Sequence, residues 1–181
     1  NYLIYDYLWI PPFVLVDYDP CGSLYVDDST ATLSNVEICG NHSDLNCARG
    51  TAIYATENSN VTMKNCLVKD NASKEHESAE IICAEDSILN ITNTDFIDNG
   101  LAVSMNKGYD ANTFLFYLID CEMYLTDGKI TGNSPDLLFR IKDSYVEMKN
   151  ITITDNSSWV MHVDNEENQK VKMAKESSLQ A

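Results

Sequence analysis

Apolar and polar residues alternate in short runs along most of this chain, and the runs recur as one degenerate 13-residue pattern. Five copies begin at Ser29, Ser59, Ser87, Cys121 and Ser144. In every copy position 5 is Leu, Met or Ile, position 10 is Ile, Val or Phe, and position 13 is Asn. Alternation with a period of two is typical of strands with one buried face. Each copy therefore predicts two short strands.

A third alternating segment precedes every copy and ends in Asp or Asn. These segments cover residues 24–28, 54–58, 82–86, 116–120 and 139–143, and a sixth lies at 161–165. Three strands joined by single-residue turns suit one coil, whose strands pair in parallel with their equivalents in the next coil. The pattern predicts an all-β fold, a right-handed parallel β-helix of about six three-strand coils over residues 21–165.

This register predicts two inward columns of apolar side chains. Position 5 contributes Leu33, Met63, Ile91, Leu125 and Met148, and position 10 contributes Ile38, Val68, Phe96, Ile130 and Ile153. Asparagine in tight turns bonds the nearby main chain, so stacked copies predict ladders of asparagine side chains. The predicted ladder residues are Asn35, Asn65, Asn93 and Asn150 at position 7, and Asn41, Asn71, Asn99, Asn133 and Asn156 at position 13.

Two segments flank the repeats. Residues 1–20 are rich in aromatic side chains and are interpreted as an N-terminal cap or a donated strand. Residues 166–181 form a charged C-terminal tail that favours helix, and we expect a frayed end or cap rather than part of a coil. The apolar run from Tyr2 to Val16 is interrupted by Asp6, Pro11 and Pro12 and is too short to cross a bilayer. We therefore expect no membrane insertion.

Short motifs give the repeats a resemblance to a known family. Residues 50–55, GTAIYA, approximate a GGA[ILV] motif, and residues 96–99, FIDN, match FxxN. Over roughly residues 22–165 the chain resembles the pectin-lyase-like β-helix superfamily, and more narrowly the repeats of polymorphic outer-membrane proteins. The resemblance implies a parallel β-helix and a surface adhesin or structural surface protein of a bacterium or protist.

Composition indicates an exported chain. Six cysteines accompany six N-x-[ST] sequons, a combination typical of secreted proteins. We predict glycosylation at the outward positions Asn60 and Asn90, because the other four sequon asparagines are ladder positions. Cys21, Cys39 and Cys47 are the disulfide candidates, with Cys21–Cys47 and Cys39–Cys47 as competing pairings. Cys66 is expected to be a free, buried thiol. The predicted location is extracellular, at the cell surface.

Charge and clustering exclude several functions. The formal net charge of −16 argues against nucleic acid as a partner; we attribute the acidity to a solvated surface in preference to calcium sites. Asn93-Thr94-Asp95 and Arg140-Ile141-Lys142 match fragments of polygalacturonase motifs, but the remaining catalytic residues are missing between them. Asp27, Asp28, Asp86 and Asp143 lie at strand ends, where turns explain most of them. His42, His76 and His162 show no ligand spacing. We expect no catalytic, metal or cofactor site.

The leading hypothesis is a non-enzymatic extracellular structural or adhesion module within a larger surface assembly or fibre. Its partners would be copies of itself or other extracellular subunits, because the ends of a solenoid carry unpaired strand edges. The alternative is a carbohydrate-binding or polysaccharide-degrading β-helix. A groove lined by converging carboxylates and basic residues would favour this alternative.

Overall fold

The computed structural model describes residues 2–6, 9–10, 23–43, 50–73, 78–101, 112–164, 170–173 and 178–179. Side-chain burial is described for residues 23–42, 50–72, 80–100 and 113–164. These parts of the chain contain strands and turns but no helix. The fold is therefore all-β in the described residues, as the two-residue periodicity predicts.

The largest sheet has twelve parallel strands in two rows. The first row contains β1 (Tyr2–Asp6), β4 (Thr30–Ser34), β8 (Asn60–Lys64), β12 (Ile88–Thr92) and β20 (Lys170–Met173). The second row contains β2 (Trp9–Ile10), β5 (Glu37–Cys39), β9 (Leu67–Lys69), β13 (Asp95–Ile97) and β21 (Ser178–Leu179). Two ten-residue strands run through both rows, namely β16 (Glu122–Thr131) and β18 (Tyr145–Thr154).

A second sheet, the lateral sheet, has six parallel strands. Five of them each precede a repeat along the chain, and the sixth follows the last repeat. Its strands are β3 (Leu24–Asp27), β7 (Ile53–Thr56), β11 (Ser78–Glu85), β15 (Asn112–Ile119), β17 (Leu137–Lys142) and β19 (Trp159–Val163). A small third sheet contains β6 (His42–Ser43), β10 (Ala72–Ser73) and β14 (Gly100–Leu101). The small sheet is an addition to the three strands per repeat that the sequence predicts. It arises because main-chain pairing continues just beyond the asparagine at position 13.

The strands pair in the register of the sequence repeat. Position 5 of each copy lies opposite position 5 of the next, from Leu33 through to Met148. Position 10 behaves in the same way, from Ile38 to Ile153. All ten residues of these two columns are at most 3% exposed. Because a slip of one residue would turn every one of these side chains outward, burial of the columns specifies the register.

The lateral sheet closes the core opposite these columns. Its inward residues include Ile53, Ile82, Phe116 and Phe139, which are aligned along the sheet and at most 1% exposed. The ring centroids of Phe116 and Phe139 are 5.0 Å apart, and Phe116 also meets Phe96 of the second row at 4.8 Å. The core therefore joins both rows and the lateral sheet through aligned apolar side chains.

Residues with a left-handed backbone conformation occur at three places in every repeat. They occupy the residue before the repeat, position 7 and position 12, with φ between 41° and 69°. The first set is Asp28, Asn58, Asp86, Asp120 and Asp143; the second is Asn35, Asn65, Asn93, Asp127 and Asn150; the third is Gly40, Asp70, Asp98, Gly132 and Asp155. Asn, Asp and Gly adopt this conformation with least strain. The third turn thus lies one residue before the position 13 that the sequence indicates.

The two flanking segments contribute strands to the large sheet. β1 and β2 pair with the first repeat, with Tyr2 opposite Thr30 and Trp9 opposite Glu37. β20 and β21 pair with β18, with Val171 opposite Val146 and Leu179 opposite Ile153. The expectation of a helix-prone tail outside the coils is therefore wrong for these strands. Apolar residues at register positions 3, 5 and 10 outweigh the helix preference of the intervening charged residues.

Candidate functional site

A buried ladder of five asparagines runs beside the second row. The side-chain Nδ2 atoms donate to the Oδ1 atom of the next ladder residue at 2.7–3.0 Å, from Asn41 to Asn156. The Nδ2 atoms of the later four also donate to main-chain carbonyls one repeat back, each at 2.9 Å. Each Oδ1 of those four accepts a main-chain N–H as well. The ladder therefore has a structural role, because its side-chain amide groups, apart from Asn41 Oδ1, are hydrogen-bonded within the protein.

The ladder at position 7 is different, because it lies on the surface. Asn93 donates to Asn65 at 2.8 Å, Asn65 donates to Asn35 at 3.4 Å, and Asn150 donates to Asp127 at 2.8 Å. Asn35, Asn65 and Asn93 are exposed and Asn150 is half-buried. Bonds between solvated amides contribute little net stability. These residues serve the left-handed turn more than they serve the core.

Among the described cysteines, Cys39, Cys66 and Cys121 are free thiols. Cys66, Cys83 and Cys121 are buried and Cys39 is half-buried. The disulfide predicted at Cys39 is therefore not observed, and Cys21 and Cys47 lie outside the described residues. Burial raises the pKa of the Cys66 thiol, and it raises the pKa of Cys121 to about 12. Neither buried thiol has the depressed pKa of a reactive cysteine.

An open groove follows the corner between the lateral sheet and the first row. It is lined by Asn58, Asp86, Ser87, Ile88, Asp120 and Glu122. Beside it Glu122 accepts the hydroxyl of Tyr124 at 2.8 Å, and Glu147 accepts that of Tyr145 at 2.7 Å. These bonds to carboxylates raise the pKa of both tyrosines. The corner combines exposed carboxylates with two aromatic rings 5.8 Å apart.

A second cluster occupies the outer face of the lateral sheet near its last strand. The Arg140 guanidinium lies 5.2 Å from the ring centroid of Phe114 and 5.3 Å from that of Tyr117. Its Nε atom is 3.6 Å from Asp164, which also lies 3.0 Å from His162 Nε2. Trp159 on β19 is 81% exposed. This aromatic–arginine cluster is held by cation–π contacts and an ion pair.

The candidate catalytic fragments lie apart. Asn93 belongs to the exposed turn ladder, Thr94 is buried, and Asp95 accepts a main-chain bond from Lys129 at 3.0 Å. Arg140 projects from the lateral sheet, so the two fragments occupy different sheets. Asp28, Asp86 and Asp143 are left-handed turn residues, and Asp27 ends β3. His42 is exposed, and His76 lies outside the described residues.

The sequence did not single out the aromatic–arginine cluster. Phe114, Arg140 and Trp159 are 45 residues apart in the chain from first to last. Arg140 contacts Phe114 across neighbouring strands, and the register places Phe114 opposite Leu137 and Leu137 opposite Trp159. The five-residue lateral segments of the sequence pattern begin at residues 116 and 161, so the pattern assigns no position to Phe114 or Trp159. Aligning all six segments by their inward residues would have placed Phe114 and Trp159 in one column, and Arg140 in the column of Tyr117 and His162.

Neither a family model nor a curated protein nor a solved structure matches this chain. Among the described residues, no three His, Cys, Asp or Glu side chains are arranged to hold a metal ion. The same residues include no helix long and apolar enough to span a membrane.

Proposed function

We propose that this chain is a non-enzymatic, extracellular structural or adhesion module, built as a right-handed parallel β-helix within a larger surface assembly. One observation carries the proposal: the polar side chains that recur in the repeat make hydrogen bonds and turns within the fold. The asparagines, serines and aspartates that recur most regularly cap turns or bond along ladders. A scaffold needs that regularity, whereas an active site needs polar groups that converge on a substrate.

The winding into one solenoid is supported by the order of the strands. Along the chain a lateral strand is followed by a first-row strand and then by a second-row strand, and the same order recurs at each repeat. Equivalent strands are 23–34 residues apart and always pair in parallel. Parallel neighbours require a connection that returns to the same edge, and a coil supplies it with short turns.

Association through the C-terminal end is supported by the unequal burial of the two ends of the lateral sheet. In the first strand Leu24 and Val26 are 7% and 1% exposed. In the last strand Met161 and Val163 are only half-buried, and Trp159 is exposed. No described strand pairs with the outer edge of β19. An unpaired edge beside an exposed aromatic residue is a surface on which a second copy can add its own strand.

Sedimentation of the full chain tests this association. The parent should form dimers or longer assemblies as its concentration rises, and Trp159→Lys should shift the equilibrium towards monomer. Tyr25→Lys is the matched control, because Tyr25 is 45% exposed on the first strand of the same sheet. A parent that stays monomeric at all concentrations would contradict the assembly proposal.

The aromatic–arginine cluster supports a second candidate function, carbohydrate binding. The exposed indole of Trp159 and the half-buried phenol of Tyr117 can stack on the apolar face of a sugar, while Arg140 and Asp164 supply hydrogen bonds. Binding of neutral or acidic oligosaccharides, followed by calorimetry, should be lost in Arg140→Ala and retained in Tyr25→Ala. Binding that survives Arg140→Ala would remove this cluster from consideration.

A further inference from the structure

The structure separates five of the six glycosylation sequons into two groups by the use of their side-chain amides. Asn71 is fully buried, and its Nδ2 donates both hydrogens, to the carbonyl of Ile38 at 2.9 Å and to Asn99 Oδ1 at 3.0 Å. Its Oδ1 accepts from the main chain and the side chain of Asn41. Every polar atom of the Asn71 side-chain amide, the group that would receive the sugar, is therefore already hydrogen-bonded.

The two other sequon asparagines of the position-13 ladder have the same character. Asn41 is 2% exposed and donates from Nδ2 to Asn71 at 2.7 Å. Half-buried Asn156 donates from Nδ2 to the carbonyls of Ile130 and Thr154, each at 2.9 Å. In all three residues the amide nitrogen that would carry a sugar is bonded inside the protein.

Asn60 and Asn90 make fewer hydrogen bonds with their side-chain amides. Both lie on the outer side of the first row, at positions 2 and 4 of adjacent strands, and both are half-buried. Asn90 Nδ2 donates to Asn60 Oδ1 at 3.3 Å, which uses one of its two hydrogens. The amide of Asn60 acts as the acceptor in this bond, so its nitrogen is not committed to it. A sugar on either side chain would extend away from the sheet.

N-glycosylation forms a bond between Nδ2 and the anomeric carbon of an oligosaccharide. The anomeric C–O bond to a lipid-linked pyrophosphate breaks, the pyrophosphate leaves, and one amide proton passes to a base of the transferase. One N–H remains, so Asn71 would lose a ladder bond. A bulky polar sugar on Asn71 would also need space and contact with solvent. The folded chain provides neither at this buried side chain.

We propose that Asn60 and Asn90 are the N-glycan acceptors of this chain, and that sugar on Asn41, Asn71 or Asn156 prevents folding. The proposal rests on the extracellular location proposed above. Because transfer takes place on unfolded chains in the secretory route of eukaryotes, the ladder acts as a filter. Only molecules whose ladder amides are unmodified complete the core.

Secretion from a glycosylating eukaryotic cell tests the filter. Peptide mass spectrometry on the secreted fraction should find sugar at Asn60 or Asn90 and none at Asn71, while retained chains carry it at Asn71. The double variant Ser43→Ala/Ser73→Ala removes two ladder sequons and leaves the asparagines intact. It should raise the secreted fraction relative to the parent. Thr62→Ala, which removes the Asn60 sequon, should abolish that glycan without raising secretion.

Expression in the bacterial cytoplasm, where these sequons stay unmodified, is the folding control. There the parent and the double variant should melt at the same temperature, so that any gain in secretion reflects the absence of sugar. Secreted, folded molecules with sugar on Asn71, or with none on both Asn60 and Asn90, would overturn the proposal. The assembly proposal fails separately, through a monomeric parent in sedimentation.

Discussion

At the scale of single residues, the same amino acid has two roles that depend only on its position in the turn. Asn99 at position 13 is fully buried and bonds both neighbouring repeats. Asn93 at position 7 is exposed and makes one side-chain bond, to Asn65. A buried polar group that loses its partner costs far more free energy than a solvated one. Stability should therefore depend on the position-13 ladder.

Replacing Asn99 with Ala should lower the free energy of unfolding by about 2–5 kcal/mol, because donors of Asn71 lose their acceptor in the core. Asn93→Gly is the control, since Gly keeps the left-handed turn, and it should cost about 1 kcal/mol or less. Urea unfolding of both variants measures the difference. Equal losses of unfolding free energy in the two variants would contradict a larger contribution of the buried position-13 ladder to stability.

Cys121 gives a pH-dependent prediction. It replaces the serine found at position 1 of the other copies, and its thiol donates to the carbonyl of Ile119 at 3.0 Å. Burial raises its pKa to about 12, whereas the thiol of an unfolded chain titrates near 9. Between these values the unfolded state binds fewer protons, so the contribution of Cys121 to stability is complete below pH 9 and falls as pH rises towards 12.

Cys121→Ser should remove this alkaline loss, because a serine hydroxyl does not titrate and fits the pattern of the column. The stability difference between parent and variant should then change by up to about 1.4 kcal/mol per pH unit above pH 9, in favour of the variant. Melting temperatures between pH 7 and pH 11 measure it. Parallel pH profiles for the two proteins would show that the Cys121 thiol does not cause the alkaline loss.

At the scale of the strands, alternation decides which side chains carry the core. Phe96 at position 10 is fully buried against Phe116, and Ile97 beside it is half-buried on the outer side of β13. Both are large apolar residues in the same strand. Their burial differs because the two side chains point to opposite faces of the sheet.

Phe96→Asp should lower the free energy of unfolding by about 4 kcal/mol or more, because a cavity and an unpaired buried charge are created together. Ile97→Asp should cost about 1 kcal/mol or less, since that side chain reaches solvent. Circular dichroism during chemical unfolding distinguishes the two. A Phe96→Asp variant that unfolds like the parent would disprove the register.

At the scale of the whole molecule, the C-terminal segment extends the large sheet. Val171 and Met173 occupy the register positions of Val146 and Met148, and β20 pairs with the edge of β18. The strand thus satisfies main-chain groups that a bare edge would expose.

Val171→Asp/Met173→Asp should lower the melting temperature and promote aggregation, because charge opposite the buried Val146 and Met148 disfavours the pairing of β20 with β18. The matched control is Lys170→Asp/Lys172→Asp in the same strand, at the alternate positions, which should leave folding nearly unchanged. Thermal melts with light scattering compare the two. Equal behaviour would show that the pairing of β20 contributes nothing to stability.

Much of the large sheet was predictable from the sequence. The spacing of Leu, Ile, Val and Asn set the strands, their parallel neighbours and the columns from Leu33 and Ile38 onward. The aromatic–arginine cluster was not, because Phe114, Arg140 and Trp159 belong to lateral strands whose lengths vary from four to eight residues. The small sheet and the strand at Lys170–Met173 were missed because each of their strands is short and lacks a repeated motif.

The sequence by itself determined the period, the all-β class and the inward positions, because alternation and turn residues are local properties that every copy repeats. The tertiary structure alone decided which asparagines are buried and which are solvated. It also decided that β1 and β20 join the same row, and that the last lateral strand stays partly uncovered. These outcomes depend on what packs against each repeat, and packing between residues distant in the chain leaves no periodic signal in the sequence.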